Sequence, residues 1–162
     1  MKRIFALALA LTLLLCGCGK SADNTDKGGN AATLKLGEVS LTVGAAFTAQ
    51  QKDALGEAVS TEEAPSCHFD GMDTVYTYNG YSLQTYRQGD ADILCVVTIE
   101  DAAYPTDKGI KVGDTADAVA DAYGDAAEET KYYVVYNLTE EVTLTFQLKD
   151  GAVTTILYEL KA

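Results

Sequence analysis

The first eighteen residues carry the chain's clearest covalent chemistry, at a cysteine. Lys2 and Arg3 precede an uncharged apolar run from Ile4 to Leu15, which stops at Leu15-Cys16-Gly17-Cys18. The run has the length of a signal-peptide core and falls short of the ~20 residues that a spanning helix needs. A lipobox places an aliphatic residue three positions before the modified cysteine and a small one just before it. Leu15 and Gly17 set Cys18 in that frame. Cys16 would put bulky Leu15 at the cleavage position, so it is expected to leave with the signal. The expected product carries diacylglyceryl on Cys18, and two acyl chains make a stable anchor where one binds only marginally. This predicts a cell-membrane lipoprotein, held by lipid and exposed on the extracytoplasmic side.

The other residue types able to do chemistry are sparse. Catalytic schemes commonly rest on a histidine base, and the chain has one, His68, beside Cys67. Adjacent residues in extended backbone point to opposite sides, so this pair is a poor thiol-imidazole dyad. No nucleophile elbow, phosphate-cradling glycine loop or zinc-binding pair accompanies it. No catalytic residue is assigned, and the chain is read as a non-enzyme. Asp70 with Asp73, Asp90 with Asp92, and Glu62 with Glu63 offer hard oxygens, but Ca²⁺ takes about six to eight and no EF-hand loop gathers them. Turn-forming and solvated carboxylates account for these pairs, so neither metal nor cofactor is expected.

Cys67 and Cys95 remain after export, into a compartment that permits disulfides. A bond between them would close a loop of about 28 residues, worth roughly 3.5 kcal/mol in the chain-entropy model. It requires α carbons within about 7 Å. The alternative is a buried, free Cys95 sharing the strand face of Ile93, Val97 and Ile99. Tyrosines suggest binding instead. Tyr76, Tyr78, Tyr81 and Tyr86 crowd one segment and Tyr132, Tyr133 and Tyr136 another, seven of the ten in the chain. Tyrosine is enriched at interfaces, and it also favours strands, where alternate side chains must face a core.

Composition sets the stage for these residues. The 12 Lys/Arg against 24 Asp/Glu give a net charge of −12, and loss of Lys2 and Arg3 with the signal would make it more negative. Such a field repels phosphate backbones, so nucleic acid is not an expected partner. Residues 18 to 33 are the cysteine expected to carry lipid and then, from Gly19, Ser, Ala, Asp, Asn, Thr, Lys and Gly without hydrophobic periodicity, a tether of roughly 20 Å as a flexible coil. Residues 34 to 162 then form one domain.

Within it the pattern reads as an imperfect repeat, about 34–104 and 105–162. Leu41-Thr42-Val43-Gly44 and Ile110-Lys111-Val112-Gly113 each open a short helical stretch, ending at Leu55-Gly56 and at Tyr123-Gly124. Ala116, Val119, Ala120 and Tyr123 make one apolar helix face, with Asp114 and Asp117 placed to cap it. Thr48 and Gln51 have capping-box spacing. Strands are predicted at Thr74 to Tyr78, Tyr81 to Tyr86 and Ile93 to Ile99, then at Tyr132 to Tyr136, Val142 to Leu148 and Val153 to Leu160. Asn79-Gly80 predicts a type I′ turn, and Asp150-Gly151 marks the last turn. The fold class expected is α+β: two tandem repeats, each a short helix packed on one face of an antiparallel sheet of about three strands.

Two stretches resemble uncharacterised lipoproteins of Gram-positive bacteria. One is Gly109-Ile110-Lys111-Val112-Gly113-Asp114-Thr115 with Val119 and Tyr123-Gly124. The other is Cys67-His68-Phe69-Asp70-Gly71-Met72-Asp73 leading into Val75-Tyr76-Thr77-Tyr78. The tandem plan is similar to the β-lactamase inhibitory protein and to BamE-type lipoproteins, across most of residues 38 to 160. The resemblance implies a location and a fold, and by fold-level analogy an inhibitor of an extracytoplasmic enzyme or an envelope-assembly factor. The residues themselves favour a membrane-anchored binding module for a protein, peptide or glycan. It would use an exposed sheet face or the loop from Cys67 to Asp73.

Overall fold

The computed structural model describes residues 32–67 and 69–161. Cys18, Cys16, the tether up to residue 31 and His68 lie outside the described residues. Folding begins slightly earlier than the pattern indicates: Ala32 is buried, and β1 (Thr33–Leu36) turns at Gly37-Glu38 into β2 (Val39–Thr42). Next come α1 (Ala49–Leu55), β3 (Ser60–Pro65), β4 (Met72–Tyr78), β5 (Tyr81–Gln88) and β6 (Ala91–Ile99). The chain continues as α2 (Ala116–Tyr123), β7 (Glu128–Glu129), β8 (Tyr133–Asn137), β9 (Val142–Lys149) and β10 (Ala152–Leu160).

This corrects the expected fold class. The molecule is mostly strand, and one eight-stranded antiparallel sheet in the order β3-β4-β5-β6-β10-β9-β8-β7 stands where two three-stranded sheets under helices were expected. The cause lies at β6 and β10, whose core-facing Val97, Ile99, Ile156 and Tyr158 are buried and which do not end as solvated edges. They pair with each other, Ile99 opposite Ile156 and Val97 opposite Tyr158.

Helices also contribute less than expected. Helix α1 buries no residue and α2 buries only Val119. Leu34, Leu36 and Leu41 of the β1–β2 hairpin, with Val43 and Phe47 behind it, join the core with Leu83, Val97, Leu144, Phe146 and Ile156 of the sheet. Burying each such side chain contributes about 1.5–3 kcal/mol, so the hairpin supplies more of this cover than either helix. The second half has no equivalent strand pair, because Ile110 to Gly113 is irregular backbone.

Backbone hydrogen bonding explains how the sheet tolerates its central seam. Strands β6 and β10 pair only over Val96–Ile99 and Ile156–Glu159, leaving the start of each without that neighbour. Polar backbone in a core needs partners. The segment before α1 supplies them to β6: Gly44 N donates to Leu94 O at 2.8 Å, and Leu94 N donates to Ala45 O at 2.9 Å. The segment before α2 does so for β10: Gly113 N donates to Val153 O and Val153 N to Asp114 O, both at 2.8 Å.

Local signals fared unevenly. Thr48 and Gln51 form the expected capping box. Helix α2 is capped by Thr115, whose Oγ1 accepts from Ala118 N at 3.2 Å, and not by Asp114 or Asp117. Asp114 instead accepts from Lys111 N at 2.9 Å, while Asp117 sits in the first turn, where its charge meets the positive helix end. At the first hairpin only Gly80 has positive φ, so Asn79-Gly80 is not the expected type I′ turn. Asp150-Gly151, with φ of 54° and 80°, has the two positive values that type requires.

Candidate binding face

Strand register decides which tyrosines face solvent. Tyr76 lies opposite Leu83, Tyr78 opposite Tyr81, and Tyr136 opposite Leu144. All are buried, so Tyr76, Tyr78, Tyr81 and Tyr136 belong to the core and not to the expected tyrosine surface. Tyr78 and Tyr81 stack at 4.8 Å, and Tyr104 meets Tyr81 edge-on at 4.9 Å. Burial, followed by the neighbouring tyrosines Tyr104 and Tyr78, pushes the Tyr81 hydroxyl up to about 12. Three of the expected seven remain accessible: Tyr86 and Tyr133 are half-buried on the other face, and Tyr132 is 62% exposed beside Lys131.

That other face is the one the hairpin and helices leave open. Thr77, Ser82, Thr98, Leu157, Thr145 and Val135 lie in direct cross-strand register, one from each of β4, β5, β6, β10, β9 and β8. All six are half-buried. At ~4.8 Å between strands the row crosses roughly 24 Å of surface. A parallel row runs from Val75 through Gln84, Val96, Glu159 and Thr143 to Asn137. Hydroxyl and amide groups mix there with aliphatics and the exposed carboxylate of Glu159, giving directional hydrogen bonding over a partly apolar floor. The alternation Thr143, Thr145, Gln147 in β9 signalled this face in the sequence; the continuity across strands did not show until the register was known.

At the β4–β5 end, the loop after β3 folds onto this face. Ser66 N donates to Gly71 O and Phe69 N to Ser66 Oγ, each at 3.0 Å, which turns the Phe69 ring flat onto Tyr86 at 3.9 Å and 10°. A cavity of about 730 Å³ opens there, lined by Ser66, Cys67, Phe69, Asp70, Tyr86 and the Arg87–Gly89 turn. Arg87 is paired with Asp92 at 2.8 Å. Asp73, which does not line this cavity, lies directly opposite Tyr86 in the strand register, with Oδ2 accepting from Gln84 Nε2 at 3.0 Å. Another cavity, about 610 Å³ between Thr33–Gly37 and Ala103–Asp107, contains none of the residues predicted for a site.

The cysteines and carboxylates take definite places. Cys67 is exposed and free; Cys95 is buried and free, its Sγ donating to Gln84 O at 3.3 Å from the bulge between Gln84 and Thr85. Burial, then the nearby Asp73 charge, pushes the Cys95 thiol up to about 12, which removes nucleophilic character. Glu62 and Glu63 point to opposite sides of the edge strand β3. Among the described residues no three His, Cys, Asp or Glu side chains are gathered for a metal ion. Sequence reasoning missed the Phe69–Tyr86 stack and the Gln84–Asp73 hydrogen bond, since a loop phenylalanine and an in-strand glutamine carry no signal of their partners.

No family model matches the chain, and no curated protein matches it. Among solved structures it is similar to the uncharacterized protein yfeY from Escherichia coli, at 13% identity and a TM-score of 0.39, over 74% of this chain and 92% of that one. That likeness is too distant to bear on function.

Proposed function

We propose that the protein is a lipid-anchored extracytoplasmic binding module that holds its ligand on the open face of the eight-stranded sheet. The observation that carries the reading is the registered row from Thr77 to Val135 on the face of the sheet opposite the one that carries the hydrophobic core. A sheet face of this width with mixed hydroxyl, amide and aliphatic groups suits recognition of a protein, peptide or glycan surface. The location rests on Leu15, Gly17 and Cys18 after a short apolar run. Among the described residues no helix is long and apolar enough to cross a membrane, and an anchor at Cys18 requires none.

The test is affinity capture from envelope extract with the intact mature protein and two variants. Thr98→Arg with Thr145→Arg places bulk and charge in the centre of the open face, and Asp121→Arg changes the exposed side of α2. The expected result is that species retained by the wild type and by Asp121→Arg are lost from the face variant. Retention by the face variant, or loss only from the α2 variant, would contradict the reading.

A further inference from the structure

We propose that the groove along the free edge of β1 binds an extended peptide segment of a partner protein, which adds a third strand to the β1–β2 hairpin. The site is separate from the open sheet face and stands without it. Hairpin register fixes which backbone groups are free. Thr33 lies opposite Thr42, Leu34 opposite Leu41, Lys35 opposite Ser40 and Leu36 opposite Val39. Val43 N donates to Ala32 O at 3.0 Å, so by the alternation of an antiparallel ladder Ala32, Leu34 and Leu36 turn their N–H and C=O groups toward the partner strand. Thr33 and Lys35 turn theirs away from it. The corresponding outer carbonyls of β2 are engaged: Ser40 O accepts from Gln51 Nε2 at 2.9 Å, and Thr42 O accepts from Ala45 N at 3.2 Å. Among the described residues no hydrogen bond reaches the backbone of Thr33 or Lys35.

The cavity of about 610 Å³ runs along this edge, with Thr33, Leu34, Lys35 and Gly37 as one wall and residues 103–107 as the other. Successive strand residues alternate faces, so a space lined by three in a row from β1 and by none from β2 lies at the edge of β1. The facing wall is held in place by its own bonds: Ala103 N donates to Asp101 Oδ1 and Thr106 N to Ile110 O, both at 2.8 Å, and the Tyr104 ring packs on Tyr81. Outward N–H and C=O groups on alternate residues are matched by another extended backbone, the main-chain pairing by which peptides add to sheet edges. A glycan presents no such ladder. At about 3.3 Å per residue the wall from Thr33 to Gly37 accepts about five residues. Side chains then select among peptides. Buried Leu34, with Tyr104 and Pro105, makes the lining partly apolar and favours apolar residues at alternate positions. Lys35 on one wall and Asp107 on the other are exposed, and among the described residues neither is in an ion pair. An acidic residue opposite Lys35 and a basic one at Asp107 complement both charges.

The probe is an N-acetylated, C-amidated Val-Glu-Val-Thr-Lys peptide, titrated into the full mature protein by NMR with backbone amide exchange at Thr33 and Lys35 as the readout. Both amides should exchange quickly in the free protein, and saturating peptide should slow each about tenfold or more. The same peptide N-methylated at Glu and Thr lacks the two donors that face β1, and it should bind about tenfold or more weakly. Lys35→Pro removes an outward donor without touching the ladder to β2 and should abolish protection at Thr33. As a second variant, Lys35→Glu keeps the backbone; it should weaken this peptide and strengthen Val-Lys-Val-Thr-Lys. Binding should survive Thr98→Arg with Thr145→Arg, which separates the groove from the open face. Amides already protected before peptide is added would show the edge filled by the chain's own tether, or by a second copy where protection grows with protein concentration, and would overturn the proposal. So would equal binding of the N-methylated peptide, binding unmoved by both Lys35 variants, peptide that leaves both amides unprotected, or loss of binding in the open-face variant.

Discussion

Buried hydroxyls show how little side-chain identity alone reveals. Tyr158 is 1% exposed on the core face, and its hydroxyl has no partner; Tyr78 Oη and Thr85 Oγ1 are likewise unpaired. An unmade buried hydrogen bond is a cost, so Tyr158→Phe should leave stability unchanged or raise it by up to about 1 kcal/mol, read as the urea midpoint. A clear loss would mean that a bound water satisfies the hydroxyl. Titration gives a second expectation at this scale. Burial raises Tyr81 from 10.0 to about 12 and Cys95 from 9.0 to about 12. For these groups the fold favours the neutral form, so their contribution is complete below the unfolded values and is lost as pH climbs from about 9 toward 12. Urea midpoints should fall across that window while remaining flat from pH 7 to 8; a midpoint that holds to pH 12 would contradict the burial of both. The sequence made the tyrosine clusters visible but not their side. Tyr76 and Tyr78 alternate with Val75 and Thr77, and either set can face a core until the partner strands are known. In the fold Leu83 and Val97 draw the tyrosines inward, and Val75 is left on the open face.

Elements with strong local signals were legible, and those made by their neighbours were not. The six core strands carry alternating apolar residues and emerge within about two residues of the pattern. Edge strand β3, Ser-Thr-Glu-Glu-Ala-Pro, is exposed throughout and has no apolar periodicity; it is a strand because β4 offers it a ladder. Its charges and Pro65 suit an edge that avoids further pairing. Strand β7 is two glutamates against β8, below what any pattern could mark. Turn glycines make a sharper expectation. Gly56 has φ of +83° with open space around it, whereas Gly80, at +86°, would place a Cβ 2.5 Å from Asp101 Cβ. Gly56→Ala should cost about 1–2 kcal/mol from backbone strain alone. Gly80→Ala should cost more, because Asp101 and the Tyr104 ring must also move. Equal midpoints for the two variants would show that the packing of Asp101 over the turn is unimportant.

At the scale of the whole molecule, the two halves of the sequence suggested two small sheets, and pairing of β6 with β10 made one large one. Periodicity reports which residues want burial, but not whether two strands will satisfy it against a helix or against each other. The hairpin β1–β2, where the sequence pattern marked no strand and Leu41-Thr42 read as the opening of a helical stretch, packs into the core beside the short helices. The proposed binding surface is the other face of the large sheet. The proposed location is a separate matter and rests on the sequence Leu15-Cys16-Gly17-Cys18. Cys18→Ser should leave an unprocessed precursor and abolish metabolic lipid labelling, while Cys16→Ser should do neither; labelling that persists without Cys18 would refute the anchor.

The central claim, that the open sheet face is the binding surface, is most directly tested by site-specific photo-crosslinking in intact cells. A photoreactive residue at Thr98 or Thr145, in the middle of the registered row, should yield discrete adducts, and the same residue at Asp117 or Asp121 on α2 should yield few or none. Adducts from α2 with none from the sheet face would contradict the account.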